Sequence, residues 1–240
     1  MEQLTLFSNT ISPSLRIHGN RRVRKNARPA HFIGERRDLW TQEIESEPET
    51  EKEMALFFLD IRNFTPLTEK HRASDVIHIV KKLFSTFQNI IRKHHGRIIE
   101  TSGDGFYAAF GFDREVKEAV NSSVNAGIAI LEALENLNVQ SFEKNLQQRI
   151  DVGIGVHVGK VATGSLHVDS KDHFVVMGYP VNVASRLQAA TKELNNNFIV
   201  SAAVFNVLKN PLPNSSPVNV NLKGMTGPCD LYLIGRPYAA

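Results

Sequence analysis

Residues 54–60 (MALFFLD) form an unbroken apolar run of strand length, which predicts a strand covered on both faces. From 66 to 94 the spacing becomes helical, with Val76, Ile77, Val80, Leu83, Phe84, Phe87, Ile90 and Ile91 on one face, and His95-Gly96 stops it. RIIET and GFYAAF flank SGDG, a hairpin signal. A second helix is predicted from Glu115 to about Asn138, burying Val116, Val120, Val124, Ile128, Leu131 and Leu134. Residues 150–158 alternate apolar and small side chains, and Gly159 is expected to end that strand. The polar excursion HVDSKDHFVVMG then returns as a strand and VNVASRLQAAT reads as a helix. NFIVS and AAVFNVLK give a short strand and helix, and PVNVNLKG and CDLYLIG close the pattern as two more strands.

The order β-α-β-β-α-β with later additions predicts an α+β fold. Its core is ferredoxin-like, with C-terminal α/β additions and helices packed on one face of a mainly antiparallel sheet. The strand pattern begins at Met54, so residues 1–53 are expected to be a flexible leader and 54–240 one folded domain. Within the leader, residues 16–37 carry eight Arg or Lys and one acid, followed by the acidic EIESEPETEKE. Such blocks are solvated, and the basic one offers a contact for an acidic partner or an anionic membrane surface.

Composition adds little to this picture: 42% hydrophobic and 22% charged residues are those of an ordinary soluble protein. One cysteine, Cys229, excludes an intrachain disulfide and a cysteine-built zinc site. No apolar run reaches the roughly 20 residues that span a bilayer, and the N-terminus lacks the order of a secretory signal, so a cytoplasmic protein is expected.

The chemistry lies at the ends of the predicted strands. Asp60 closes an apolar run and Asp104 sits in the hairpin turn, and two such carboxylates on neighbouring strands suit divalent cations. Asn182 and Arg186 lie one turn apart on a predicted helix. Each alone has a plainer reading, as a strand-end cap, a turn residue or an exposed helical arginine. His94-His95 and His157 read as solvated and as a satisfied strand residue. No P-loop lysine is present.

LDIRNFT, ETSGDGFYAAF, VGIGVHVGKVATG, VMGYPVNVASRL and the terminal LKG…LYLI occur in the order and spacing seen in class III nucleotidyl cyclases, which the chain resembles from about residue 54 to 236. The resemblance implies two Mg²⁺ or Mn²⁺ ions held by Asp60, Asp104 and the backbone carbonyl of Ile61. It implies a triphosphate loop at residues 62–65, with Phe64 and Thr65 in it and the amides of Arg62 to Thr65 as donors. Asn182 would hold the ribose and Arg186 the charge on the α-phosphate, both reaching the site of a partner subunit in a head-to-tail homodimer. Lys223 is a candidate triphosphate contact whose alignment with the family's lysine is insecure.

Two positions choose the purine in that family, here Glu100 and Val175. A carboxylate accepts two hydrogen bonds from the guanine edge, whereas valine makes no polar contact. GTP is therefore slightly favoured over ATP. The expected function is a nucleotide cyclase making a cyclic 3′,5′-nucleotide and pyrophosphate for second-messenger signalling. The alternatives are a weakly active regulatory module that dimerises with another cyclase chain, and a cyclase for a pyrimidine nucleotide. A polymerase or diguanylate-cyclase-like enzyme would want a Gly-Gly-[Asp/Glu]-[Glu/Asp]-Phe hairpin, which SGDGF does not supply.

Overall fold

The computed structural model describes residues 50–168, 171–210 and 216–238. The basic block and most of the leader fall outside them. β1 (Thr50–Ile61) starts upstream of the expected Met54, because Thr50–Glu53 continue its ladder with β4 (Val152–Val168). The predicted hairpin is β2 (Gly96–Ser102) and β3 (Gly105–Phe110). β5 (Lys171–Met177), β6 (Phe198–Ser201), β7 (Val218–Val220) and β8 (Cys229–Leu233) complete one sheet, ordered β2-β3-β1-β4-β6-β8-β7 with β5 on β4. Every pairing is antiparallel except β4 with β6. The fold is α+β on a mainly antiparallel sheet, as the pattern predicts.

β4 does not stop at Gly159 but runs on to pair with β5 as a long hairpin. The break in alternation at Gly159 marks where Pro180 packs close to the strand, and a side chain there would meet its ring. The helical region after β1 divides into α1 (Phe64–Lys70) and α2 (Ala73–Lys93). α3 (Val116–Leu137) continues through a wider π-helical turn (Asn138–Phe142) into α4 (Glu143–Leu146). Two expected core positions are exposed: Ile77 of α2 at 54% and Ile128 of α3 at 40%. α3 instead turns Ser123, Ala126, Gly127 and Ile130 inward, small residues that let it approach the sheet closely and that a hydrophobicity pattern underweights.

Not all the helices share one face, contrary to expectation. α2 and α3 cover Ala55, Phe57, Leu59 and Ile61 of β1, the main core. α5 (Tyr179–Glu193) lies on the other side, with Ala184 packed near Met54, Leu56 and Val161. This is why the first strand is apolar without alternation. α6 (Ala202–Phe205) is one short turn capped by Ser201, whose side-chain oxygen accepts from Val204 N–H. Among the described residues no helix is long and apolar enough to cross a membrane.

Candidate active site

Strand periodicity decides where Asp60 points. With Leu59 and Ile61 committed to the α2/α3 core, Asp60 faces the α5 side. It stands opposite Gly105 in the β1–β3 ladder, and the Ile61 N–H donates to the Asp104 carbonyl at 3.1 Å, so the hairpin turn is tied to the end of β1. Gly105 is required here, since a Cβ would lie 2.7 Å from Leu59 O and 3.1 Å from Asp60 Oδ1. Burial raises the Asp60 pKa and the neighbouring Asp104 charge raises it further, while Arg62 and Gln188 pull it down. The Arg62 guanidinium stands 3.2 Å from the Asp60 carboxylate. Two carboxylates pressed together and half-shielded from water make a donor set that a hard divalent cation relieves. Among the described residues no three His, Cys, Asp or Glu cluster for a metal. Further oxygens must therefore come from backbone carbonyls such as that of Ile61, or from phosphate or water.

After Ile61 the chain turns through Asn63, which holds a left-handed φ of 53°, into the seven-residue α1. One expected phosphate donor is already used: Arg62 N–H donates to Asp151 O at 2.7 Å, because it extends the β1–β4 ladder by one rung. Pro66 has no N–H to offer. Phe64 is half-buried against the main core, while Thr65 is exposed. With Asp60, Asp104, Lys192 and Tyr238 they line a cavity of about 490 Å³.

Glu100 reaches the same side of the sheet through a β-bulge. Ile98 pairs with Ala108, but Glu100 pairs with Tyr107, leaving Ile99 as the extra residue. In unbroken register Glu100 would stand opposite Phe106, whose ring is in the main core. Glu100 instead shares a cavity of about 290 Å³ with Asp60, Asp104 and Gln188, and one of about 340 Å³ with Tyr107, Phe174 and Val175. The two proposed base-selecting residues are thus brought together. Tyr107, its pKa raised by burial, donates its hydroxyl to Val176 O at 3.0 Å and so is committed.

Asn182, Arg186 and Lys223 are not in this group. The first two stand exposed on α5, and Lys223 is exposed after β7. A Cβ on the adjoining Gly224 would lie 3.9 Å from Arg186 Nη2, so the backbone next to Lys223 runs beside the arginine. None of the three lines either cavity that contains the two aspartates. Gln188, six residues after Asn182, does line one, since α5 lies so close on Gly155 that a Cβ there would overlap its backbone. The sequence reading missed Gln188, Lys192, Tyr238 and the Arg62 side chain. Gln188 lies about 120° round the helix from Asn182, so the Asn182–Arg186 spacing gave no signal for it. His157 is a satisfied strand residue, its Nδ1 2.8 Å from Ser201 Oγ, and burial lowers its pKa to about 4.

A model of the adenylate and guanylate cyclase catalytic domain matches residues 46–235. Adenylate cyclase 1 of Rhizobium meliloti is 26% identical over 88% of this chain and 30% of its own length. The receptor-type guanylate cyclase gcy-7 of Caenorhabditis elegans is 31% identical over 61% of this chain and 13% of its own. The chain thus spans less than a third of these curated relatives. The crystal structure of the adenylyl cyclase CyaB from P. aeruginosa shares the fold, with a TM-score of 0.69, 23% identity, and coverage of 78% of this chain and 95% of that one.

Proposed function

Because the chain belongs to the adenylate and guanylate cyclase catalytic domain family, we propose that it converts a nucleoside triphosphate to a cyclic 3′,5′-nucleotide and pyrophosphate. The observation that carries this reading is the pairing of Asp60 with Asp104 at a wall common to two cavities, one next to the 62–66 loop and one containing Glu100. Two Mg²⁺ or Mn²⁺ ions held by Asp60, Asp104 and the Ile61 carbonyl would acidify the ribose 3′-hydroxyl and neutralise the triphosphate. The 62–66 loop borders the phosphate side. Glu100 faces the base, and as the carboxylate beside an otherwise apolar Val175 and Phe174 it favours guanine, whose N1–H and 2-amino group are paired donors.

Asn182 and Arg186 act on the site of a second copy. Their exposure on α5, away from the chain's own aspartates, supports a head-to-tail dimer in which each site takes its metal ligands from one chain and its transition-state donors from the other. An arginine suits that task because it stays ionised and offers fixed donors to a phosphate that gains charge. Incubating the protein with each of the four nucleoside triphosphates and Mn²⁺, then identifying products by mass, tests the reading. A cyclic product is expected, with GTP ahead of ATP. No cyclic product from any of the four sinks it, and ATP alone would remove Glu100 from the base.

A further inference from the structure

The segment that follows β8 is held far more tightly than a strand end requires. Three consecutive asparagines receive it: Asn196 Oδ1 accepts from Gly235 N–H at 3.2 Å, Asn197 Oδ1 from Arg236 N–H at 2.9 Å, and Asn195 Oδ1 from Tyr238 N–H at 3.2 Å. Asn197 N–H returns a bond to Arg236 O at 2.9 Å. Asn196 and Asn197 are 6% and 4% exposed, so these oxygens have no water to turn to. Gly235 passes so close that a Cβ would overlap Asn197 Oδ1 and the Phe198 amide. Arg236 adds an ion pair to Glu135 of α3.

This anchoring delivers one side chain to the cavity of about 490 Å³ that contains Asp60 and Asp104: Tyr238. Its hydroxyl is buried beside Thr191, whose side chain eases the rise that burial gives its pKa. Lys192, one residue beyond Thr191 at the end of α5, brings a positive charge to the same cavity. Asp151, whose pKa burial raises, lines it too, and the nearby Arg149 and Arg236 offset its charge.

We propose that Tyr238 and Lys192 contact the β- and γ-phosphates of the substrate, and hence the pyrophosphate product, with the 235–238 segment serving as a fixed wall of the site. The assignment rests on the cyclase reading for the identity of the ligand, and its binding test does not need turnover. The two probes are a 3′-deoxynucleoside triphosphate with Mn²⁺, which cannot cyclise, and inorganic pyrophosphate as its competitor.

Tyr238→Phe removes the hydroxyl beside Thr191 and keeps the ring. Its melting temperature should match wild type, while triphosphate and pyrophosphate affinities fall about tenfold. Lys192→Gln should weaken both by a similar factor and reduce the salt dependence of binding. A lowered melting temperature with unchanged affinities makes Tyr238 a packing residue and overturns the proposal, as do unchanged affinities in both variants. If wild type binds the triphosphate through Tyr238 yet forms no cyclic product, the cyclase reading fails and the phosphate contact stands. If wild type cyclises a triphosphate while both variants bind like wild type, the phosphate contact fails and the cyclase reading stands.

Discussion

Asp60 and Asp104 stand where three strands meet, held by ladder bonds and by the Ile61–Asp104 bridge at 3.1 Å, whereas Asn182 and Arg186 project from the outward side of a single helix. The first group is half-shielded, and the Asp104 charge already alters the ionisation of Asp60. The second has no partner of its own chain among the described hydrogen bonds and ion pairs. A sheet end can enforce two carboxylates in near contact at the cost of their repulsion. A helix face can only present donors to something that arrives. On the proposed reading the two halves therefore differ in what each can do alone: one copy would bind metal and phosphate, and two copies would be needed for the donors to reach a reacting phosphate.

The largest effect should come from the sheet half. Asp104→Ala is expected to lower turnover on the order of a thousandfold or more, with the dimer unchanged by sedimentation. Turnover within about tenfold of wild type would remove Asp104 from the metal set.

The helix half comes next. Arg186→Ala should cost roughly 10²–10³-fold, the loss of one oriented donor to developing charge. Mixing it in equal amounts with Asp104→Ala breaks or sharpens the comparison directly. Random exchange makes about half the dimers mixed, each with one intact site of two, so activity should recover to about a quarter of wild type. If neither variant rescues the other, both halves serve the same chain's site.

The sheet half also carries a pH dependence of its own. His157 on β4 has a folded pKa of about 4 against 6.5 unfolded, because burial disfavours its charged form. The unfolded chain thus binds the proton first. Stability should be full above about pH 6.5 and fall by about 3 kcal/mol as the pH drops to 4. His157→Gln should flatten that part of the denaturation profile, and an unchanged slope would assign it to other groups. The smallest effect is on base choice: Glu100→Gln should reduce the preference for GTP over ATP by about tenfold while leaving Asp104-dependent turnover in place, measured as a ratio of kcat/KM.

The sequence made short, contiguous motifs readable. Asp60, Asp104, Asn182 and Arg186 each sit in a short motif, and strand and helix periods alone put them on plausible surfaces. What stayed hidden depends on close approach across the sheet. The side chosen by α5, the persistence of β4 past Gly159 and the inward turn of Gly127 all follow from where backbone meets backbone, to which apolar periodicity is blind. Arg62 shows the same limit, its amide taken by Asp151 through one extra rung. Tyr238 lies 134 residues from Asp104 in the chain, and only the asparagine run that fixes its segment brings the two together. Three asparagines in a row look like a turn, and their carbonyls became anchors.

On the proposed reading of Glu100, the bulge at Ile99 makes base recognition depend on strand register as well as on residue type. Were Ile99 drawn into regular pairing with Tyr107, Glu100 would roll over toward Phe106, burying a charge in the core while the cavity lost its carboxylate. Deleting Ile99 outright would instead keep Glu100 opposite Tyr107 and only straighten the strand. The state of the bulge, and not the letter at position 100 alone, then decides whether a carboxylate stands in that cavity.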